Sequence, residues 1–315
     1  MIVGITGAAG YLGGRLIAYL GVQEWVERII AFDKMPVESA PKVIAYPFDM
    51  TNARDTLTLA SILVEHGVTH LVHAAFQIQP ISDDSAGMTL TNVLGSSRVF
   101  RAALGHVEHL TFISSVAVYG YGGHPSKLNE VAALRPTTAY GRDKRAAENS
   151  LRDLSVAGLP RTAILRFAAI AGPHGAQRSP LRALTAQPFF VLADGGHART
   201  QAVHEDDAAA LIAVAVREGA SGIFNAAPDD IAAWSDIAQL SRRPVLALPR
   251  MALNGATLLN RTLPALEGFT RDVVDLFSKT LTVGNLAIKS ALGWQPRYGT
   301  CDAFYEMFKA QGTAR

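Results

Sequence analysis

Cysteine is almost missing from this chain. Cys301 is the only one in 315 residues, which excludes an intramolecular disulfide and suits a reducing compartment. A surplus of either charge is missing too. Lys and Arg number 29 against 27 Asp and Glu, a formal net charge of +2, so no basic footprint points to nucleic acid. No uninterrupted apolar run is long enough to span a bilayer, although 49% of residues are hydrophobic, enough for a full core. The first strand candidate begins almost at Met1, which leaves no room for a signal peptide. The expectation is a soluble cytoplasmic protein with neither a membrane nor a nucleic-acid partner, built as one large or two closely joined domains. There is no internal repeat. His73, His124, His174 and His197 lack metal-ligand spacing, and the pair Asp206-Asp207 lacks the partners of a metal site, so no metal is expected.

What is present begins at residue 2. An apolar strand candidate (Ile2 to Ile5) runs into Thr6-Gly7-Ala8-Ala9-Gly10-Tyr11-Leu12-Gly13, and a helical stripe of Leu12, Leu16 and Leu20 follows. Strand, glycine-rich turn and helix is the context that a dinucleotide-binding fingerprint requires. Gly7 permits the tight turn, Gly10 lets backbone approach a pyrophosphate at the helix N-terminus, and Gly13 lets the helix sit close to the sheet. Asp33 ends a second strand candidate, twenty residues after Gly13. An acid there can bond both ribose hydroxyls of NAD and repels the extra phosphate of NADP. Lys34 and Arg15 keep NADP open as the alternative.

Strand and helix patterns alternate to about Phe167, which predicts a parallel, doubly wound α/β sheet of Rossmann type. Helices are expected at Asp55 to His66, Met88 to Leu104 and Ala139 to Leu154. After Gly172 the pattern becomes irregular, as in a smaller lobe. The expected division is a dinucleotide-binding domain over 1–170, with 200–227 returning to it, and a mainly substrate-binding lobe over 171–315. Loops after the strands, Phe76 to Gly87 and Tyr119 to Pro136, leave the strand ends where open α/β sheets bind ligands.

Tyr140 and Lys144 are four residues apart on the last of those helices, so both side chains share one face. A phenol holds its proton until about pH 10. A neighbouring ammonium favours the phenolate and brings that proton within reach of acid/base work.

Taken together these residues resemble the extended short-chain dehydrogenase/reductase family, the NAD-dependent epimerases and dehydratases. The resemblance covers almost the whole chain and is strongest up to about Gly175. Phe112-Ile113-Ser114-Ser115-Val116-Ala117-Val118-Tyr119-Gly120 is similar to the segment carrying the family's Ser or Thr, which puts Ser115 beside Tyr140 and Lys144 in a catalytic triad. The resemblance also implies a cofactor site. Gly7, Ala9, Gly10, Tyr11, Leu12 and Gly13 form its turn, and Asp33 and Lys34 meet the ribose. Asp49 and Met50 meet the adenine, and His73, Ala74 and Ala75 pass under the cofactor. Asn92, Ser114, Phe167 and Ile170, with Tyr140 and Lys144, complete it. The substrate side would include Phe76, Ser115, Val116, Ala117, Ala169 and Arg199. His204-Glu205-Asp206-Asp207 resembles a later His-Val-Asp-Asp element, where His204 and Asp207 are expected to cap the next helix. Leu292-Gly293-Trp294-Gln295-Pro296 is similar to the family's C-terminal Leu-Gly-Trp-x-Pro.

Departures from the family pattern prune the chemistry. Members that eliminate water carry an acid pair after the Ser or Thr, and related decarboxylases keep a Glu. Val116 and Ala117 stand there and transfer no proton. What survives is a nucleotide-sugar 4-epimerase or a dehydrogenase or ketone reductase acting on a non-nucleotide substrate; a dinucleotide sensor without turnover is a third reading. Enzymes acting on UDP-sugars usually carry an Asn where Ala169 stands, and an Arg four residues before the later His. Arg199 is five before His204, and Arg178 and Arg182 are further cations that could grip a diphosphate. Relatives often pair through a four-helix bundle, so a homodimer using two apolar helical stripes is expected.

Overall fold

The computed structural model describes residues 1–78, 85–122, 127–155, 160–175, 181, 188–257 and 271–312, without the side chains of 85, 155, 271 and 272. Arg178, Arg182 and His124 lie outside the described residues.

The first half alternates strand and helix. β1 (Ile2–Thr6), β2 (Arg28–Asp33), β3 (Val43–Pro47), β4 (His70–His73), β5 (His109–Ser115) and β6 (Arg161–Phe167) are joined by β11 (Gly222–Ala226) in one seven-stranded sheet. Its order is β11-β6-β5-β4-β1-β2-β3, and every pairing is parallel. The inner strands β1, β2, β4 and β5 are short and largely buried on both faces, as a parallel sheet between helices requires, while the edge strand β3 is partly exposed. In β2, Ile29 and Ala31 face one core while Ile30 and Phe32 face the other, the period-two alternation of a strand.

One core is closed by α1 (Tyr11–Gly21) and the helix Glu205–Arg217, through Leu16, Leu20, Leu211 and Ile212. The other is closed by α2 (Ala53–Glu65), α4 (Ser96–Ala103) and α5 (Ala139–Ser155), through Leu59, Val99, Ala147 and Leu151. The chain leaves β1 toward one face and β4 toward the other. The crevice between those two strands is therefore the switch point at which open α/β sheets take ligands.

The helix expected over Met88 to Leu104 is broken into three. α3 (Ser85–Thr89) passes into a π-helical turn, Leu90–Gly95, and then into α4. Asn92 is fully buried inside that turn, and its contacts explain the break. Its Oδ1 accepts the Gln77 amide at 2.8 Å, and its Nδ2 donates to the Gln77 carbonyl at 2.9 Å and to Asp143 Oδ2 at 3.0 Å. A widened turn lets this side chain reach the backbone after β4.

The apolar stripes of α4 and α5 face each other inside one chain, where Val99, Phe100, Ala103, Ala147 and Leu151 share a core. The outer face of α5 is polar instead, with Arg142, Arg145, Asn149 and Arg152 exposed. Leu90 and Leu94 are the exposed apolar groups next to it.

The rest of the chain packs a third core around Phe190, Leu192, Trp234, Ile237, Phe277, Phe304, Met307 and Phe308. It is drawn from β7 (Ala169–Ala171), β8 (Phe190–Ala193), β9 (Arg199–Thr200), β10 (Ala202–His204), β12 (Ala232–Ala233), β13 (Val245–Leu248) and short helices up to Thr300–Lys309. β7 and β10 pair in parallel and lie between this third core and the core closed by α1. Among the described residues no helix is long and apolar enough to cross a membrane, and no group of three or more His, Cys, Asp and Glu could hold a metal ion.

Candidate active site

Three strand ends meet at one edge of the sheet. The turn after β1 is tight because Gly7 adopts φ +75 with its amide donating to the Phe32 carbonyl at 2.9 Å. A Cβ on Gly7 would lie 2.5 Å from the Ala75 amide nitrogen, so only glycine lets the turns after β1 and β4 touch. Gly10 then begins α1 with no side-chain cap and no acid in the first turn. An uncapped positive helix end with room for backbone approach fits a diphosphate.

Asp33 ends β2 beside this turn. Its Oδ2 accepts the Ala9 amide at 3.0 Å and its Oδ1 the Met35 amide at 2.9 Å, which fixes the carboxylate at the mouth of the turn. Lys34 is exposed, and its charge reaches Asp49. Burial would raise the Asp49 carboxyl, but hydrogen bonds from Thr51 and the Lys34 charge outweigh it and hold Asp49 below the usual range. Met50 is buried against Gly95, leaving no space there for a Cβ. These residues fit a dinucleotide with free ribose hydroxyls.

Arg15 does not serve that site. It pairs with Glu205 at 3.4 Å and with Asp206, so it is unavailable to an adenosine phosphate, and the NADP alternative loses one of its two cations. Glu205 is buried and also accepts the Tyr11 hydroxyl at 2.6 Å and the His174 amide at 3.1 Å, while its other oxygen meets the His174 ring. Burial, with the Glu205 charge adding, pushes the Tyr11 phenol above its ordinary range. The Tyr11 side chain is thus committed to this clasp, leaving its backbone to face the dinucleotide turn. No sequence signal pointed to the clasp, because Glu205 stands where the family pattern has Val.

His73 is wholly buried. Its Nδ1 meets Thr6 Oγ1 at 2.6 Å and its Nε2 meets Ser96 Oγ at 2.9 Å, with Phe112 stacked at 5.7 Å. Burial, helped by the Lys144 charge, lowers its pKa to about 3, so it is a neutral brace. Ala74 and Ala75 carry the chain past Gly7, and the Ala74 amide donates to the Thr6 carbonyl at 3.1 Å.

Ser115 ends β5, and its Oγ accepts the Ala117 amide at 3.2 Å, capping the short turn Val116–Tyr119. Thr138 caps α5 by accepting the Gly141 amide at 3.0 Å. A Cβ on Gly141 would lie 2.5 Å from the Ala117 carbonyl oxygen, so glycine lets α5 press against that turn. The result sets the Tyr140 hydroxyl beside that of Ser115. Burial pushes the Tyr140 phenol up to about 12, with the Ser115 hydroxyl pulling the other way. Lys144 sits one turn further on, buried, its Nζ donating to the Ile113 carbonyl at 2.6 Å. Burial pushes Lys144 well below its ordinary range, against the opposing charge of Glu148. The pull of the Lys144 ammonium on Tyr140 expected from the spacing is not among the causes of the shift, which are burial and Ser115.

The remaining candidates spread around this centre. Ser114 turns away from it and donates to Glu148 Oε1 at 2.5 Å. Phe167 is buried at the end of β6, and Ala169 and Ile170 lie on β7, half-buried. Val116 and Ala117 are buried. Phe76 sets its ring against Lys144 and Tyr140. Arg199 is exposed on β9, its backbone tied to Thr280 and Leu281, while Thr200, the residue four before His204, is buried. His204 caps the helix Glu205–Arg217 by accepting the Asp206 amide at 3.2 Å, as expected for a strand-to-helix junction. Asp207 does not cap that helix but accepts the amides of Arg297 (2.8 Å) and Tyr298 (3.0 Å), pinning the C-terminal segment.

Sequence reasoning missed the polar layer under the triad candidates. Arg166 on β6 pairs bidentately with Glu148 on α5, Nε to Oε1 at 3.0 Å and Nη2 to Oε2 at 2.6 Å. Its Nη1 donates to the Tyr119 hydroxyl at 2.9 Å, and Tyr119 donates to Asn225 Oδ1 at 2.8 Å. The one available signal was Glu148 at helical spacing from Lys144.

The parallel sheet, its switch point and the glycine turn define a doubly wound dinucleotide-binding enzyme. The model of the NAD-dependent epimerase/dehydratase family matches residues 3–227, and the chain belongs to that family. NAD is accordingly its cofactor. The chain is 28% identical over 323 residues to an uncharacterised protein of Mycobacterium bovis, covering 99% of this chain and 84% of that one. It is 29% identical over 252 residues to a dTDP-4-keto-6-deoxy-D-glucose reductase of Streptomyces niveus, covering 78% and 79%. Its fold superposes on the Thermus thermophilus UDP-glucose 4-epimerase in complex with NAD with a TM-score of 0.78, at 19% identity and over all of both chains.

Proposed function

We propose that this enzyme transfers hydride reversibly at a secondary alcohol or ketone, with Ser115, Tyr140 and Lys144 as its catalytic groups. The observation that carries the reading is the close packing of α5 on the turn after β5, which sets Tyr140 and Lys144 beside Ser115 at the sheet edge that also holds the dinucleotide turn. NAD, when bound, takes up and returns the hydride. Tyr140 removes the proton from the carbinol hydroxyl and gives it back to the carbonyl oxygen. Ser115 keeps its own proton for the substrate oxygen or for Tyr140, since its Oγ accepts the Ala117 amide. Lys144 has three N–H donors and uses one on Ile113, which leaves two for the cofactor ribose.

In this reading 1–170 and 200–227 bind NAD, with Asp33 on the ribose hydroxyls, Asp49 and Met50 at the adenine, and the remainder of 171–315 receiving substrate. The protein works in the cytoplasm. Val116 and Ala117 offer no second acid, which supports epimerisation or reduction over elimination. Nucleotide-sugar 4-epimerisation is the first reading. Ala169, which offers no side-chain amide, and Thr200, a neutral residue four before His204, favour the second: a ketone reductase on a substrate without a nucleotide.

Denaturing the purified protein, identifying any released nucleotide and then titrating NAD and NADP tests this. Released, tightly held NAD supports the epimerase, which regenerates its cofactor in place. An empty protein that binds NAD reversibly supports the reductase, and tight NAD with no turnover in any substrate screen supports a sensor. Preference for NADP would overturn the role given to Asp33. We also read the protein as a homodimer through α4 and α5 with Leu90 and Leu94 at the contact. Solution scattering at micromolar protein should give twice the chain mass, and a monomer mass would refute it.

A further inference from the structure

Lys144 has no carboxylate at salt-bridge distance among the described residues. Its Nζ lies instead 3.5 Å from the centre of the Phe76 ring, 4.9 Å from that of Phe112 and 5.6 Å from that of Tyr140. Phe76 also meets Tyr140 in a T-shaped contact, with ring centres 5.8 Å apart and planes at 88°. The titratable and charged groups around this amine are few. On α5 they are Tyr140, Asp143, whose carboxylate is taken by Thr89 and Asn92, and Glu148 one turn on. From β4 comes only the neutral His73. β5 presents Phe112 and the Ile113 carbonyl.

We propose that Phe76 is a positioning residue for Lys144: its ring face, in place of an acid, holds the amine between the Ile113 carbonyl and Tyr140. The inference rests on the Ser115–Tyr140–Lys144 reading above. The negative face of an aromatic ring attracts a cation most strongly where water is excluded. It does so without taking an N–H in a directed bond, so Lys144 stays oriented while its remaining donors stay available. A carboxylate at that place would claim those donors and draw Nζ to itself. Because the same ring touches Tyr140, moving Phe76 disturbs both members of the pair. Burial already works against the Lys144 charge, and the ring face joins the Ile113 carbonyl and the Glu148 charge in opposing it.

The test follows the Lys144 titration by NMR of isotope-labelled lysine, in cofactor-free protein, with Lys144→Met assigning the signal. Phe76→Leu keeps the place apolar and removes the ring face, and its midpoint should fall by about one pH unit relative to wild type. Phe76→Tyr, which restores the face, should bring the midpoint back. Phe76 is half-buried, so Phe76→Leu should fold, and Phe76→Met serves as a second apolar variant. An unchanged midpoint in Phe76→Leu, a rise, or no recovery in Phe76→Tyr would each overturn the proposal, a rise meaning that the ring only shields water. Turnover is not read in this experiment, so a wrong catalytic assignment is detected separately, by Tyr140→Phe.

Discussion

Tyr140→Phe should lower kcat by about 10²–10⁴, the usual contribution of a positioned proton donor and acceptor, and leave NADH binding unchanged. The variant keeps the ring that meets Phe76 edge to face and deletes one oxygen atom, so packing is preserved while the hydroxyl beside Ser115 is lost. The pH dependence gives a second reading of the same experiment. With its phenol pushed up to about 12, Tyr140 is protonated near neutrality. Carbonyl reduction uses the protonated form, so its rate should stay flat at low pH and fall as pH rises toward the Tyr140 pKa. Alcohol oxidation uses the phenolate, so its rate should climb with pH over the same range. Both limbs should vanish in Tyr140→Phe. Steady-state rates from NADH absorbance, with binding followed by NADH fluorescence, decide the matter. A variant retaining more than about a tenth of wild-type kcat would move the proton chemistry to another group.

The sequence was most legible where function needs a residue that backbone geometry also needs. Gly7 must be glycine both for its positive φ and for the approach of Ala75, so the turn was readable as a motif. Asp33 was readable because it ends an apolar strand, and the structure adds the two amides that hold it. Tyr140 and Lys144 declared their shared face by spacing alone. Their electrostatics did not follow from spacing, because burial decides both pKa directions and a one-dimensional pattern carries no depth. The π-helical turn at Asn92 was invisible for a related reason. It is caused by bonds to Gln77 and Asp143, fifteen and fifty-one residues away. The apolar stripes of α4 and α5 were legible as stripes, but periodicity does not name what covers them, and in the fold residues of each share one core within the chain. Arg15 was misassigned because its partners Glu205 and Asp206 lie some 190 residues on and join it only in the fold.

The Arg166–Glu148 pair carries the second large effect. Both side chains are nearly inaccessible, at 2% and 1%. The guanidinium reaches Glu148, Tyr119 and the Glu130 carbonyl, and Glu148 also accepts from Ser114. Removing one partner strands a buried charge, which costs about 3–5 kcal/mol. Glu148→Leu should therefore lower Tm by roughly 6–10 °C, at about 2 °C per kcal/mol for a chain of this size. Removing both charges should cost less than removing one, because buried ion pairs recover little beyond their own desolvation. In Glu148→Leu/Arg166→Met, Tyr119 still bonds Asn225, so the hydroxyl that Arg166 leaves is not orphaned. Thermal and urea unfolding of the two single variants and the double variant close a double-mutant cycle. A double variant whose loss equals the sum of the two single losses would mean the pair is not coupled, and the layer beneath Ser115, Tyr140 and Lys144 would then be held by its neutral hydrogen bonds rather than by charge.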